Sequence, residues 1–105
     1  MRSTSAILLL TTLLAPFVAA DLHSDAVCID KKGGASVYNA AATEAACGNY
    51  KVRNTGNKQW DQCPDCEMRE VGGLRVCHSD GWHIGGDEIS YYCKNINGAG
   101  GSLAN

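Results

Sequence analysis

A chain of 105 residues with 11 acidic and 9 basic side chains carries a formal charge of −2. It therefore lacks the positive field that neutralises phosphates, which argues against binding nucleic acid or anionic membranes by bulk charge. One domain is expected, and a core at this size supplies only about 3–5 kcal/mol of net stability before any staple is added.

The first twenty residues carry Arg2, an apolar stretch from Ala6 to Val18 broken late by Pro16, and then Val18-Ala19-Ala20. That is the three-part pattern of a cleaved secretory signal. The stretch is too short for a bilayer, since a spanning helix needs about 20 apolar residues. The expected mature domain is residues 21–105, and losing Arg2 makes its formal charge −3. Beyond Asp21 there is no Phe and only Leu22, Leu74 and Leu103, but all six cysteines are present: Cys28, Cys47, Cys63, Cys66, Cys77 and Cys93. An even count in a small exported domain reads as a disulfide framework, and each bond typically contributes about 2–4 kcal/mol.

Weak alternation around Val27, Cys28 and Ile29 predicts a short first strand that stops in a turn at Gly33-Gly34. From Ser36 to Tyr50 an Ala-rich stretch places Val37, Ala42, Ala45, Ala46 and Tyr50 near helical spacing, with Ser36 or Asn39 as its cap. Cys47 rides on its buried side or near its last turn, depending on whether Gly48 ends it. Asn54 to Gln62 is a polar loop whose one large apolar side chain, Trp60, is expected to fold back onto the core. Glu67–Val71 and Leu74–Cys77 flank Gly72-Gly73, a hairpin signal, because both turn positions of such a loop require positive φ. Asp80-Gly81 makes another turn, Trp82-His83-Ile84 extends the sheet, and Gly85-Gly86 breaks it. Asp87 reads as the cap of a short helix through Lys94 in which Ile89, Tyr92 and Cys93 share a face, leaving one of Tyr91 and Tyr92 partly exposed. The Gly-, Ala- and Asn-rich tail from about residue 97 is expected to be flexible.

Four constellations bear on chemistry. Cys63-Pro64-Asp65-Cys66 has redox spacing, but a redox motif of that kind is followed by a helix in a larger α/β domain. Here a hairpin follows, so both cysteines are expected to pair with distant partners. Cys63, Cys66, Cys77, His78, His83 and Cys93 include zinc-ligand types. Their spacings match no standard finger, and thiolates survive poorly during oxidative export. No metal or cofactor is implied. His78 and His83 near Glu67, Glu70, Arg69 and Arg75 are the residue types of a small secreted ribonuclease. Against this, Glu70 and Arg75 placed across a hairpin make an ordinary ion pair. Finally, Trp60, Trp82, Tyr38, Tyr50, Tyr91 and Tyr92 are needed to build an interior, unless several share a plane as a sugar-stacking platform.

The six cysteines, the Cys-Pro-x-Cys step, the segments Tyr50-Lys51-Val52-Arg53-Asn54-Thr55-Gly56 and His78-Ser79-Asp80-Gly81-Trp82-His83-Ile84-Gly85-Gly86-Asp87-Glu88, and the tail composition together resemble the small secreted cysteine-rich proteins of filamentous fungi. Many of those are effector candidates of plant-associated species, and the biotrophy-associated secreted proteins are one neighbourhood among them. The resemblance implies release into or around host tissue, action by binding a host molecule, a part in virulence, and no catalytic residues to carry over. The expected fold is a single α+β domain with one Ala-rich helix, a short antiparallel sheet and a short C-terminal helix, cross-linked by three disulfides. The expected function is that of a monomeric, non-enzymatic, effector-type protein with a host protein as partner, acting extracellularly or after uptake into host cells. Trp82, His83, Tyr91 and a strand face carrying Arg69 and Arg75 are the candidate contact residues. A ribonuclease-like hydrolase and a carbohydrate-binding module are the alternatives.

Overall fold

In the computed structural model, residues 22–105 are described, and the expected signal segment 1–20 lies outside them. Strand β1 (Leu22–His23) leads into β2 (Asp25–Lys32), whose Ala26 and Cys28 turn into the core while Lys31 and Lys32 run out into solvent. Gly33 and Gly34 adopt φ of 57° and 86°, which only glycine tolerates readily at both centres of a two-residue turn. The chain returns as β3 (Ala35–Tyr38), with Lys32 opposite Ala35 and Ile29 opposite Tyr38. Ser36 and Val37, expected to open the helix, are strand residues because this turn pairs them with β2.

Helix α1 (Ala40–Lys51) is capped by Asn39, whose side-chain oxygen accepts the Ala42 N–H at 2.9 Å. It runs past Gly48, and its buried face is Ala42, Thr43, Ala46, Cys47 and Tyr50. Ala45 falls on the exposed side. Thr43 also repairs the sheet. The Ser24 carbonyl, just before β2, accepts the Ser79 N–H and the Cys28 carbonyl accepts the Asn39 N–H, while the Cys28 N–H donates to the Thr43 hydroxyl at 2.9 Å.

After a single 3₁₀ turn at Gln59–Asp61, β4 (Glu67–Val71) and β5 (Leu74–His78) form the expected hairpin, with Gly72 and Gly73 at φ of 59° and 82°. Its register puts Glu70 opposite Arg75 and Met68 opposite Cys77. Strand β6 (Ile84–Gly85) pairs with β1 in a small separate ladder. Helix α2 (Gly86–Tyr91) is entered from Gly85 rather than capped by Asp87, and it widens into a π-helical turn at Tyr92–Ile96. Tyr91 is exposed and Tyr92 packs against the core. The tail, expected to be flexible, forms β7 (Gly101–Ala104) antiparallel to β2. Asn105 fastens its end: the side chain accepts the Ser24 N–H and donates to the Ser24 hydroxyl, and its backbone oxygen bonds His23 Nδ1. Long-range pairing overrides the poor strand propensity of the tail.

The five-stranded sheet runs β3-β2-β5-β4, with β7 also pairing β2, and α1 covers the face that carries Cys77. Three disulfides join Cys28 to Cys93, Cys47 to Cys77, and Cys63 to Cys66. The first ties β2 to the π-helical turn and the second ties α1 to β5. The third corrects the expectation of distant partners: the Cys-Pro-Asp-Cys segment turns back on itself, with the Cys66 N–H donating to the Cys63 carbonyl at 3.0 Å, which brings the two Cα atoms to 5.3 Å. Six of the thirteen residues in the core cluster are these half-cystines, and Tyr50, Ile84 and Ile89 are its largest members. An interior this poor in large side chains is why covalent links carry so much of the stability.

Candidate interaction surface around Trp82

Trp82 is half exposed, at 50%, and has φ of +57°. Among the described residues it is the one non-glycine in that region. The left-handed conformation costs an L-residue about 1–2 kcal/mol. Such strain persists only where the surroundings over-determine the backbone.

Asp65, inside the Cys63–Cys66 loop, is the centre of that constraint. One carboxylate oxygen accepts the Ser79 hydroxyl at 2.7 Å and the other accepts the Gly81 N–H at 2.7 Å. The Ser79 oxygen in turn accepts the His83 N–H at 3.0 Å, and the Trp82 N–H donates to the Ser79 carbonyl at 3.1 Å. From the other side, the Gln59 amide donates to the Gly81 carbonyl at 2.7 Å, and the His83 Nδ1–H donates to the Gln59 carbonyl at 2.9 Å. Burial pushes the Asp65 carboxyl up, but the Ser79 hydroxyl, the Gly81 N–H and the His83 imidazole outweigh it and hold the pKa below the ordinary carboxylate value. The short disulfide thus positions an ionised carboxylate that clamps the turn, and the indole stands outside the clamp.

A second charged network adjoins this turn. His78 lies between two carboxylates, Nδ1 at 2.6 Å from Asp25 and Nε2 at 2.7 Å from Asp80. The hydrogen bond to Asp25, then that to Asp80, raises the imidazole pKa above its ordinary value, against the opposing effect of burial. Arg69 bonds Glu67 at 3.0 Å and approaches Asp80 at 3.7 Å, so it flanks the Trp82 turn. Arg75 does not join it. Cross-strand pairing puts Arg75 beside Glu70 on the hairpin face shared with Met68 and Cys77, whereas Arg69 lies with Glu67 and Val76 on the opposite face. The expected common Arg69 and Arg75 face is thereby corrected, and no Glu70–Arg75 ion pair forms among the described residues.

Tyr91 belongs to another region. Its ring meets Tyr92 edge-on at 5.2 Å, and the two line a shallow cleft of about 440 Å³ with Arg53, Thr55, Asp87 and Glu88. The Arg53 guanidinium lies 5.8 Å from both the Tyr50 and Tyr92 ring centroids and donates to the Tyr92 hydroxyl at 3.3 Å. Beneath it the Tyr50 hydroxyl donates to the Trp60 carbonyl at 2.7 Å and accepts the Gly85 N–H at 3.1 Å; burial pushes its pKa up to about 12. Trp60 is half-buried, its Cβ against Gly85.

Both nitrogens of His78 are occupied by aspartates, His83 is turned to the Gln59 carbonyl, and among the described residues no Glu oxygen hydrogen-bonds either ring. Every cysteine is in a disulfide, so no thiolate ligand for zinc remains. Asp65 and Gln59 escape a reading of the sequence because their partners lie 14–22 residues away; the only local sign is a carboxylate enclosed by two close cysteines.

An α+β domain of this size with a cystine-rich core and a clamped, exposed turn is of the class of small disulfide-stabilised proteins made for export. Within that class the chain belongs to the Biotrophy-associated secreted protein 4 family, whose model matches residues 21–102. It is similar to Biotrophy-associated secreted protein 4 of Pyricularia oryzae, with 30% identity over 106 residues that cover 96% of this chain and 94% of that protein. No solved structure matches. The protein is accordingly a secreted, cysteine-rich fungal protein of effector type. No helix among the described residues is long and apolar enough to cross a membrane.

Proposed function

We propose that the protein acts without catalysis, by binding a host protein through the Trp82 turn, with Arg69 and His83 beside it. The observation that supports this most is the half-exposed indole on a strained backbone, held by Asp65, Ser79 and Gln59. Tryptophan and arginine are the side chains most often found at binding hot spots, and an anchor ordered in advance loses little entropy on docking. The same hairpin face ends in exposed Val71 and Leu74, which extend the apolar part of the patch beyond Arg69. Tyr91, on its separate cleft, is a second and independent contact point.

The test is affinity capture from host tissue with the oxidised mature domain, against a reduced and alkylated sample. The proposal expects a host protein retained by the oxidised form alone. Retention of polysaccharide alone would favour the carbohydrate-binding alternative, and RNA cleavage in the flow-through the hydrolase; either result displaces the proposal.

A further inference from the structure

The Sγ atoms of Cys47, Cys66 and Cys77 all lie within 4.8 Å of one another, and all three residues are buried. Cys47 and Cys77 are bonded to each other, whereas Cys66 is bonded to Cys63, which is not part of that cluster. The sulfur of the short local disulfide is therefore packed against the disulfide that fastens α1 to β5. Exchange requires a thiolate beside a disulfide sulfur, and a group held in place reacts as though greatly concentrated.

We propose that the Cys63–Cys66 bond is a redox trigger, whose reduction lets Cys66 exchange into the Cys47–Cys77 bond. In the first step a dithiol reductant delivers two electrons and two protons, leaves as its own disulfide, and yields thiols at Cys63 and Cys66. In the second, Cys66 loses its proton to solvent and its thiolate attacks Cys47 Sγ. A Cys66–Cys47 bond forms, the Cys47–Cys77 bond breaks, and Cys77 departs as a thiolate that takes a proton from solvent. Attack on Cys77 Sγ releases Cys47 instead, and neither exchange consumes further reductant. Cys66 is the nucleophile for two reasons. Of the two thiols, only Cys66 lies within 4.8 Å of both sulfurs of the target bond, and the Asp65 carboxylate oxygen lies 3.7 Å from Cys63 Sγ, where it disfavours a second negative charge and accepts a hydrogen bond from the thiol.

The consequence reaches the Trp82 turn. Asp65 is held between the two cysteines, and its bonds to Ser79 and Gly81 are the clamp. Opening the short loop releases that clamp, and a new link from Cys66 to α1 or β5 prevents it from resetting.

Limited dithiothreitol treatment of the folded, oxidised protein, followed by acid quench, alkylation and non-reducing peptide mapping, tests this. Expected are labelled Cys63 in every two-thiol molecule, a second label shared among Cys66, Cys77 and Cys47, and cross-linked peptides joining Cys66 to Cys47 or Cys77. A second label confined to Cys66, with Cys47–Cys77 intact, would overturn the proposal, as would two-thiol species that leave Cys63 bonded. The Cys63→Ser and Cys66→Ser variants separate geometry from general scrambling: the free thiol migrates to Cys47 or Cys77 in the first and stays on Cys63 in the second. Equal migration in both would also overturn it.

Discussion

Removing the disulfides one at a time, as Cys→Ala pairs, gives a ranking that follows from the sequence separations alone. The bonds close loops of 65, 30 and 3 residues for Cys28–Cys93, Cys47–Cys77 and Cys63–Cys66. The chain-entropy relation then assigns about 4, about 3.5 and about 1.5 kcal/mol at 25 °C. All six cysteines are at most 2% exposed, so the packing lost per pair is alike and drops out of the comparison. Set beside a core worth about 3–5 kcal/mol, loss of either long-range bond removes about as much stability as the whole core supplies, with the other two bonds still in place. Loss of the short one lowers Tm by on the order of 6–12 °C. Urea denaturation of the three variants at one pH reads the order directly. A Cys63→Ala/Cys66→Ala protein as unstable as the Cys28→Ala/Cys93→Ala protein would refute loop closure as the source of stability. In the short-loop variant, amide exchange at Gly81 and His83 should nevertheless accelerate, because Asp65 is no longer held.

Trp82→Gly relieves the positive φ and should be about 1 kcal/mol more stable than Trp82→Ala in chemical denaturation; equal stabilities would mean the turn stores no strain. Gly85→Ala places a Cβ 2.9 Å from the Trp60 Cβ and against a Glu88 carboxylate oxygen, and while the carboxylate swings away the Trp60 Cβ does not, so a cost of about 1–3 kcal/mol is expected. Gly86→Ala, whose nearest neighbour is His23 Nε2 at 3.4 Å, should be far milder, and the two Tm values decide. The His78 pKa is raised on folding, so the advantage of wild type over His78→Gln is complete below about pH 6.5 and is lost as pH rises through the folded value. A gap that widens from about pH 5 to pH 8 would contradict the His78 clasp. Tyr50→Phe leaves the buried Gly85 N–H without its acceptor and should cost about 1–3 kcal/mol by the same denaturation assay.

Local signals were legible in the sequence and distant ones were not. Gly72-Gly73 between two alternating runs identifies its hairpin because both strands and the turn lie within twelve residues. The Ala-rich helix is likewise visible from Asn39 onward. The same Gly-Gly signal at residues 33–34 announces a turn, yet the strand that follows it is hidden, since Ser36 offers a cap as good as Asn39 and Val37 falls in phase with the helical spacing of Ala42, Ala45 and Ala46. Strand β7 has the composition of a frayed end and exists because β2 offers it a free edge, a fact that only the assembled sheet contains. Six cysteines in an exported chain establish a framework, but 15 pairings satisfy it. The local closure of Cys63 on Cys66 depends on a turn that neither spacing nor composition reveals. Trp82 is recognisable as a candidate by type. The clamp that makes it one depends on Asp65 meeting Ser79 and Gly81 across two loops.

Binding through Trp82 is tested most directly by affinity capture from host tissue with wild-type and Trp82→Ala proteins of matched fold, verified by circular dichroism. If the Trp82 turn is the docking surface, wild type retains a host protein that Trp82→Ala releases. Retention of the same protein by both, in equal amount, would contradict it.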